Sequence, residues 1–195
     1  MAAISPFSLC ATMTQMTTER LLLRPLREAD AKVVCALAGV PDVARMTVRI
    51  PYPYPREAAL AWIRATWSAG ASERVYGIEF GGSLAGCIGY MPRDRNPIGI
   101  EIGYWIGRNY RGRGLAPEAA RAVMREIVDA TDCETVVCGH FIDNAASRRV
   151  VGKLGFRHVG HELRSCVARG CRVETVVYAL TADEVRRAHW YRTQA

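Results

Sequence analysis

The sequence predicts a single α+β domain with one mixed, mostly antiparallel sheet of about seven strands and helices on both faces. A chain of 195 residues suits one domain with a sizeable core. It shows no internal repeat at a period of about 20 to 50 residues. Segments with strand periodicity and segments with helical periodicity follow in the order β-α-α-β-β-β-α-β-α-β-β, which is typical of helices packed on a sheet.

The first third of the chain predicts one strand and two helices. Residues 19–25 (ERLLLRP) form the strand, and residues 28–38 form a short helix. The prolines of residues 51–55 exclude a helix there, and Pro55 is suited to begin the second helix, which extends to about residue 69. The inward positions expected for the first helix are Ala29, Val33, Ala36 and Leu37.

The later strands are predicted from hairpin signals and β-rich runs. Residues 75–80 and 84–90 flank Gly81-Gly82, which indicates a β-hairpin, and a third antiparallel strand begins at Ile98. After a central helix we expect a strand at 134–141, a short helix at 145–154, and strands at 156–167 and 172–180. The domain is expected to span residues 19–180, preceded by an extension (1–18) and followed by a helix and tail (181–195).

The stretch from Ile98 to Ala130 carries most of the functional information. It predicts a strand, a glycine-rich turn and a helix opened by Pro117 and Glu118. In the strand, large apolar residues alternate with glycines, so one face is apolar and the other is nearly bare. Glu101 is the carboxylate on that bare face, where neighbouring glycines let a ligand approach the backbone closely.

The turn from Arg111 to Ala116 (RGRGLA) predicts an anion site. Glycines before a helix expose backbone N–H groups, the helix dipole adds positive character, and Arg111 and Arg113 reinforce it. No Walker motif is present, and the third glycine position of a dinucleotide fingerprint holds Pro117. A phosphate site and an ordinary helix entrance therefore remain the two interpretations of this turn.

Composition limits the compartment and the partners. The net charge of +7 favours anionic partners such as nucleotides, phosphates, RNA or acidic proteins. The chain lacks a run of about 20 apolar residues and a signal-peptide pattern, so we expect a cytoplasmic protein without membrane contact. The seven cysteines are an odd number, which fits reduced thiols, and their C-x4-C spacings do not favour zinc, so no metal is expected.

Two segments resemble the GNAT acetyltransferases, and in particular their Rim-type branch, whose members acetylate protein N-termini, notably on ribosomal proteins. RGRGLA at 111–116 is similar to the family's R-x-x-G-x-G/A signature. NAAS at 144–147, followed by KLGF at 153–156, is similar to the N-x-x-S…LGF segment, and ERLLLRPL resembles the first strand of that branch. The resemblance extends from Glu19 to about Leu180 and implies a GNAT-like fold with acetyl-CoA as co-substrate.

The resemblance also implies a set of cofactor contacts. Backbone groups of Trp105 and Ile106 would contact the pantetheine arm, Asn144 would bind the same arm, and the turn would hold the pyrophosphate. An N-cap role for Asn144 is an alternative that is compatible with binding. The expected cofactor-binding residues are Trp105, Ile106, Arg111, Gly112, Arg113, Gly114, Leu115, Ala116 and Asn144.

Acetyl transfer to an amine requires a base, a donor to the oxyanion and a proton source for the thiolate. We expect Glu101 to be the base, directly or through water, with an ion pair to an arginine as its alternative role. A backbone N–H near Ile106 would meet the oxyanion. Many relatives place a tyrosine seven residues after the asparagine, but Val151 stands there, so the expected acid is Ser147, with a helix-surface serine as the alternative.

The sequence therefore predicts an N-acetyltransferase that transfers the acetyl group directly to an amine, with a protein or peptide N-terminus as the leading acceptor. A small-molecule amine, such as an aminoglycoside or polyamine, is the enzyme alternative, and a non-catalytic basic RNA- or ribosome-binding module is the third. The sequence lacks aromatic-basic interleaving, which argues against nucleic acid. A homodimer is compatible with the sequence.

The acceptor pocket is expected to be lined by Tyr52, Tyr54 and the 164–172 hairpin. Packing within the loop is the alternative explanation for the two tyrosines.

Overall fold

The structure, a computed structural model, describes residues 15–67, 74–93 and 99–192. Its strands are β1 (Met16–Thr17), β2 (Leu21–Pro25), β3 (Arg74–Phe80), β4 (Ser83–Arg93), β5 (Gly99–Ile106), β6 (Thr135–Phe141), β7 (Arg157–Cys166) and β8 (Cys171–Thr181). Its α-helices are α1 (Ala31–Ala38), α2 (Pro41–Ala44), α3 (Arg56–Ala65), α4 (Leu115–Ala130), α5 (Ala145–Leu154), α6 (Ala182–Arg187) and α7 (His189–Arg192). Short 3-10 turns lie at Glu28–Asp30, Arg108–Tyr110 and Val167–Arg169. Residues 68–69 and Ile98, assigned above to a helix and a strand, lie outside the described residues.

The strands form one sheet in the order β1-β2-β3-β4-β5-β6-β8-β7. Every neighbouring pair is antiparallel except β5 and β6, which confirms the predicted mixed, mostly antiparallel sheet. The described residues form eight strands, close to the predicted number of about seven. The additional strand is β1, whose Met16 and Thr17, assigned above to the extension, pair with Leu23 and Leu22 of β2. Met16 also packs against the core.

Apolar cores cover both faces of the sheet, as predicted. One core joins the sheet to α4, α5 and α6, and the other joins it to α1 and α3. Val185 of α6 is fully buried, so the segment after residue 180 contributes to the packed domain. Within the described part of the chain, none of the helices combines the length and apolar character needed to cross a bilayer.

The inward face expected for the first helix was largely wrong. Ala29, Val33 and Ala36 are exposed, and Leu37 is half-buried. The residues that α1 buries are Ala31, Val34 and Ala38. The 3-10 turn at Glu28–Asp30 shifts the helix start, and a short helix with apolar residues on several sides does not define its buried face by periodicity alone.

A gap opens in the sheet between β5 and β6. Their parallel pairing ends at Ile102 and Cys138, whereas β5 continues to Ile106 and β6 to Phe141. The N–H of Gly107 donates to Ala85 on the β4 side at 2.9 Å. Because successive amides of a strand point in opposite directions, the N–H of Ile106 points away from β4 and toward the gap.

Candidate active site

The glycine-rich turn has the geometry of an anion site. Gly112 and Gly114 have φ angles of +76° and +78°, a region that favours glycine. Gly114 is the N-cap of α4, so the helix begins at Leu115, two residues before the predicted start at Pro117. Pro117 lies in the first turn, where its missing N–H would have had no intrahelical acceptor. The first-turn amides and the helix dipole therefore present positive character at this end of the helix.

A cavity of about 540 Å³ lies at this turn, and we call it the turn cavity. Its lining includes eight of the nine expected cofactor-binding residues: Trp105, Ile106, Arg111, Gly112, Gly114, Leu115, Ala116 and Asn144. Arg113 is not among the lining residues, because its guanidinium lies over the Phe80 ring, 5.9 Å from the centroid. Arg111 lines the cavity while donating to the carbonyls of Ile106 (3.3 Å) and Asp42 (3.0 Å).

Two basic side chains on the wall of the turn cavity are additional to the nine expected cofactor-binding residues, although the sequence allows them either a cofactor phosphate or a solvated helix face. Arg149 and Lys153 both lie on α5 and line the cavity. Their spacing of four residues places them on one helix face, which is the signal that favours the phosphate interpretation. With Arg111 they give the cavity three positive charges near the turn. The two carboxylates of the lining, Asp42 and Asp143, are paired with Arg108 and Arg169, so the cavity suits a polyanionic ligand.

A larger cavity of about 770 Å³ lies at the gap between β5 and β6, and we call it the gap cavity. Its apolar end includes Val34, Tyr54 and Trp62. Burial raises the pKa of Tyr54 to about 12, whereas Tyr52 is 52% exposed and is not a lining residue. The two cavities meet, since both are lined by Met46, Thr47, Tyr104, Trp105, Asn144 and Ser147.

Glu101 lies in the gap cavity within a ring of four alternating charges. Arg93 donates to Glu101 at 3.2 Å and to Glu162 at 2.7 Å. Arg164 also bonds to both carboxylates, and its Nη2 lies 3.0 Å from Oε2 of Glu101. The ion pair given above as the alternative role of Glu101 is therefore present, and the four charges of the ring cancel.

Gly139 lets the Arg164 side chain reach across the sheet. A Cβ at Gly139 would lie 3.3 Å from Nη2 of Arg164 and 3.1 Å from Cγ2 of Thr175. Burial opposes the charge of Arg164, but the hydrogen bonds to Glu101 and Glu162 raise its pKa overall. The bare face of β6 at this position therefore permits the charged ring.

Asn144 and Ser147 stand where the two cavities join. Asn144 is the N-cap of α5, and its Oδ1 accepts a hydrogen bond from the backbone N–H of Ser147 at 3.1 Å. The N-cap role is thus present, and the amide nitrogen of Asn144 can still donate to a ligand. The Tyr104 hydroxyl lies near Ser147 but makes no hydrogen bond to any described residue. Burial raises the pKa of Tyr104 above its usual range, which keeps this hydroxyl protonated.

The cysteines of the gap cavity are thiols rather than nucleophilic thiolates. Cys87 and Cys138 both line the cavity. Burial raises the pKa of Cys138 to about 12 and also raises that of Cys87. The six cysteines of the described residues are free, and residues 15–67, 74–93 and 99–192 contain no cluster of three or more potential metal-ligating side chains. This environment suits direct group transfer better than a covalent cysteine intermediate.

Residues 20–157 match the family described as the acetyltransferase (GNAT) domain. The putative ribosomal N-acetyltransferase YdaF of Bacillus subtilis (strain 168) is 28% identical over 108 residues, which cover 55% of this chain and 59% of that protein. The match thus spans less than two thirds of the relative's length.

Two solved structures show the same fold at low sequence identity. RimL, a ribosomal L7/L12 alpha-N-protein acetyltransferase in complex with coenzyme A, has a TM-score of 0.74 at 19% identity, covering 86% of this chain and 97% of that one. The microcin C7 self-immunity acetyltransferase MccE, in complex with acetyl-CoA and AMP, has a TM-score of 0.73 at 16% identity, covering 84% and 93%. Because the family match spans more than half of the sequence, the chain belongs to the GNAT acetyltransferases, which confirms the expected enzyme class, an N-acyltransferase that uses acetyl-CoA.

Proposed function

We propose that the protein acetylates the α-amino group at the N-terminus of a protein or peptide. The observation that carries this proposal is the charge of the gap cavity. Among its described lining residues the carboxylate is Glu101, already paired with arginines, and the cations are Arg49 and Arg164. A polyamine or aminoglycoside would find little negative charge there, whereas peptide carbonyls can accept hydrogen bonds from arginine. The names of YdaF and RimL support the same acceptor class.

In this proposal acetyl-CoA occupies the turn cavity. The pyrophosphate would lie at the amides of residues 112–116, with Arg111, Arg149 and Lys153 as nearby cations. The pantetheine arm would run along Trp105 and Ile106 toward Asn144. The thioester would then reach the junction of the two cavities, and the acceptor amine would approach from the gap cavity.

The chain supplies groups for each step of the transfer. The amine nitrogen attacks the thioester carbon, and the N–H of Ile106, which points toward the gap, would donate to the oxyanion. The C–S bond then breaks, and the sulfur takes up a proton. The roles of Glu101 as base and Ser147 as acid stay predictions at this point.

Substitutions test these two roles separately. If Glu101 is the base, Glu101→Gln should lower the turnover rate at neutral pH by about 10²- to 10⁴-fold. Unchanged turnover would remove Glu101 from the proton transfer and leave it an ion-pair residue. If Ser147→Ala kept full activity, solvent would be the better proton source for the thiolate.

A small apolar monoamine is the second candidate acceptor. The apolar end of the gap cavity, at Val34, Tyr54 and Trp62, favours an acceptor with an apolar body over a polycation. The same end could instead receive the first side chain of a peptide. A direct comparison of acceptors decides between the two.

The deciding experiment incubates the protein and acetyl-CoA with a panel of acceptors, followed by mass spectrometry. The panel contains N-terminal peptides, the same peptides with a blocked N-terminus, lysine peptides, polyamines, aminoglycosides and aromatic monoamines. We expect acetylation of the unblocked peptides alone. Products from polyamines or aminoglycosides only would contradict the proposal, as would the absence of any product together with no coenzyme A-dependent thermal shift.

A further inference from the structure

His140 lies beside the gap between the two diverging strands. It is two residues beyond Cys138, the last residue of β6 that pairs with β5. The residue is one of those that line the gap cavity, with Glu101, Asn144 and Ser147. The residue is only 5% exposed, so the ring is enclosed within the domain.

A hydrogen bond of the ring defines its neutral tautomer. Nδ1 lies 2.9 Å from the carbonyl oxygen of Phe141. A carbonyl oxygen only accepts hydrogen bonds, so Nδ1 carries the proton and Nε2 of the neutral ring holds a lone pair. The ring is further held by stacking on Tyr178, with centroids 5.4 Å apart and an interplanar angle of 26°.

The Nε2 atom is buried and has no hydrogen-bond partner among the described residues. A buried acceptor without a partner destabilises a fold, and such atoms in native proteins call for an explanation. Glu101, in the same cavity, differs because both of its oxygens already accept hydrogen bonds from Arg93 and Arg164. A basic nitrogen that is oriented but unpartnered, on a residue that lines the cavity assigned to the acceptor, is suited to receive an N–H proton from an amine that reaches it.

We infer that His140 is the proton acceptor for the attacking amine, an inference that rests on the proposed acetyl transfer. As the neutral amine nitrogen bonds to the thioester carbon, its proton passes to Nε2 of His140. The C–S bond then breaks, and the imidazolium returns that proton to the departing thiolate. The products are the amide, the coenzyme A thiol and neutral His140, so one proton moves from nitrogen to sulfur and the charges balance.

The first test needs no acceptor. The ¹⁵N NMR shifts of the histidine rings report which ring nitrogen is protonated. They are recorded for the free protein at a pH of about 8, and the His140 signals are assigned by their loss in His140→Gln. We expect a protonated Nδ1 and an unprotonated Nε2 at His140. A proton on Nε2 would overturn the assignment, whatever the acceptor of the enzyme is.

The second test measures catalysis with whichever amine the acceptor panel identifies. His140→Ala should lower kcat by about 10²- to 10⁴-fold, while the affinity for coenzyme A stays within about threefold of wild type. Added imidazole should restore part of the rate, because it returns a basic nitrogen to the vacated space. The matched control is His161→Ala, an exposed histidine on β7 outside both cavities, for which we expect unchanged turnover and no effect of imidazole.

The outcomes separate this inference from the proposed function. Two results would overturn the role of His140 alone. One is a turnover rate of His140→Ala within threefold of wild type. The other is a lower turnover rate that imidazole does not restore, although the variant binds coenzyme A normally. Acetylation of an acceptor other than a protein N-terminus would overturn the proposed acceptor class. The comparison of His140→Ala with wild type on that acceptor would still test the role of His140. Absence of acetyl transfer by the wild-type protein would overturn both.

Discussion

Arg169 joins three segments around the junction of the two cavities, and its removal is the most informative structural perturbation. Its Nε donates to the carbonyl of Arg45 at 2.6 Å, next to Met46 and Thr47, which line both cavities. Its Nη1 and Nη2 bind the two oxygens of Asp143, the residue before Asn144, at 2.8 and 3.1 Å. The guanidinium also lies 5.1 Å from the centroid of Phe141.

Arg169→Met keeps much of the aliphatic stem and removes these polar contacts. The bond from the charged guanidinium to a carbonyl stabilises by about 1.5–3 kcal/mol. The Asp143 pair adds at most about 1 kcal/mol, because the Asp143 side chain is 49% exposed and solvent screens the pair. The expected loss is therefore about 2–4 kcal/mol, which corresponds to a Tm lower by about 4–16 °C for a domain of this size.

Asp143 also makes the effect dependent on pH. The hydrogen bond from Arg169 holds the pKa of Asp143 below its ordinary value of 3.8. Because this pKa is lowered in the folded state, the pair's contribution is present above the ordinary value and disappears as the pH falls through the folded value. The Tm difference between wild type and variant should therefore be largest near neutral pH and shrink below a pH of about 4.

The measurements are thermal unfolding at several pH values and steady-state kinetics. We expect the KM for acetyl-CoA to rise by about tenfold, equivalent to about 1.4 kcal/mol, because the turn that carries Asn144 loses its anchor. The matched control is Arg172→Met in the same hairpin, an exposed arginine that donates to Leu163 at 3.2 Å, which should change stability by less than about 0.5 kcal/mol. A Tm and KM of Arg169→Met equal to those of wild type would refute the reasoning.

Two further substitutions test the glycines of the site. Gly139→Ala places a Cβ 3.3 Å from Nη2 of Arg164, so the guanidinium must shift. In steady-state assays the KM for the acceptor should rise about tenfold, while the KM for acetyl-CoA stays constant. An unchanged KM for the acceptor would argue against this role of Gly139. Its control, Gly152→Ala on α5, meets no atom within 4 Å and should stabilise by about 0.5–1 kcal/mol in thermal unfolding. Gly114→Ala forces a residue with a Cβ to adopt a φ of +78°, which should lower the free energy of unfolding by about 1–2 kcal/mol. The affinity for coenzyme A, measured by calorimetry, should also fall. An affinity equal to that of wild type would show that the turn does not hold the cofactor.

Local chemistry made much of the fold predictable from the sequence. The strand alternation of β5, the Gly81-Gly82 hairpin and the proline that precedes α3 each follow from interactions within a few residues. The anion-binding turn is predictable for the same reason, since Gly112 and Gly114 adopt left-handed φ angles that few other residues tolerate. The buried face of α1 was not predictable, because several faces of that short helix are apolar and packing selects one of them.

The contents of the active site depended on contacts between distant segments. Sequence alone determined that a strand, a glycine-rich turn and a helix would form a site with Glu101 beside it. Only the tertiary structure turned Arg113 away onto Phe80, brought Arg164 across Gly139 to Glu101, and left Nε2 of His140 without a described partner at the gap. The physical reason is range: backbone propensity acts over a few residues, whereas ion pairs and buried hydrogen bonds depend on how strands far apart in the chain are placed side by side.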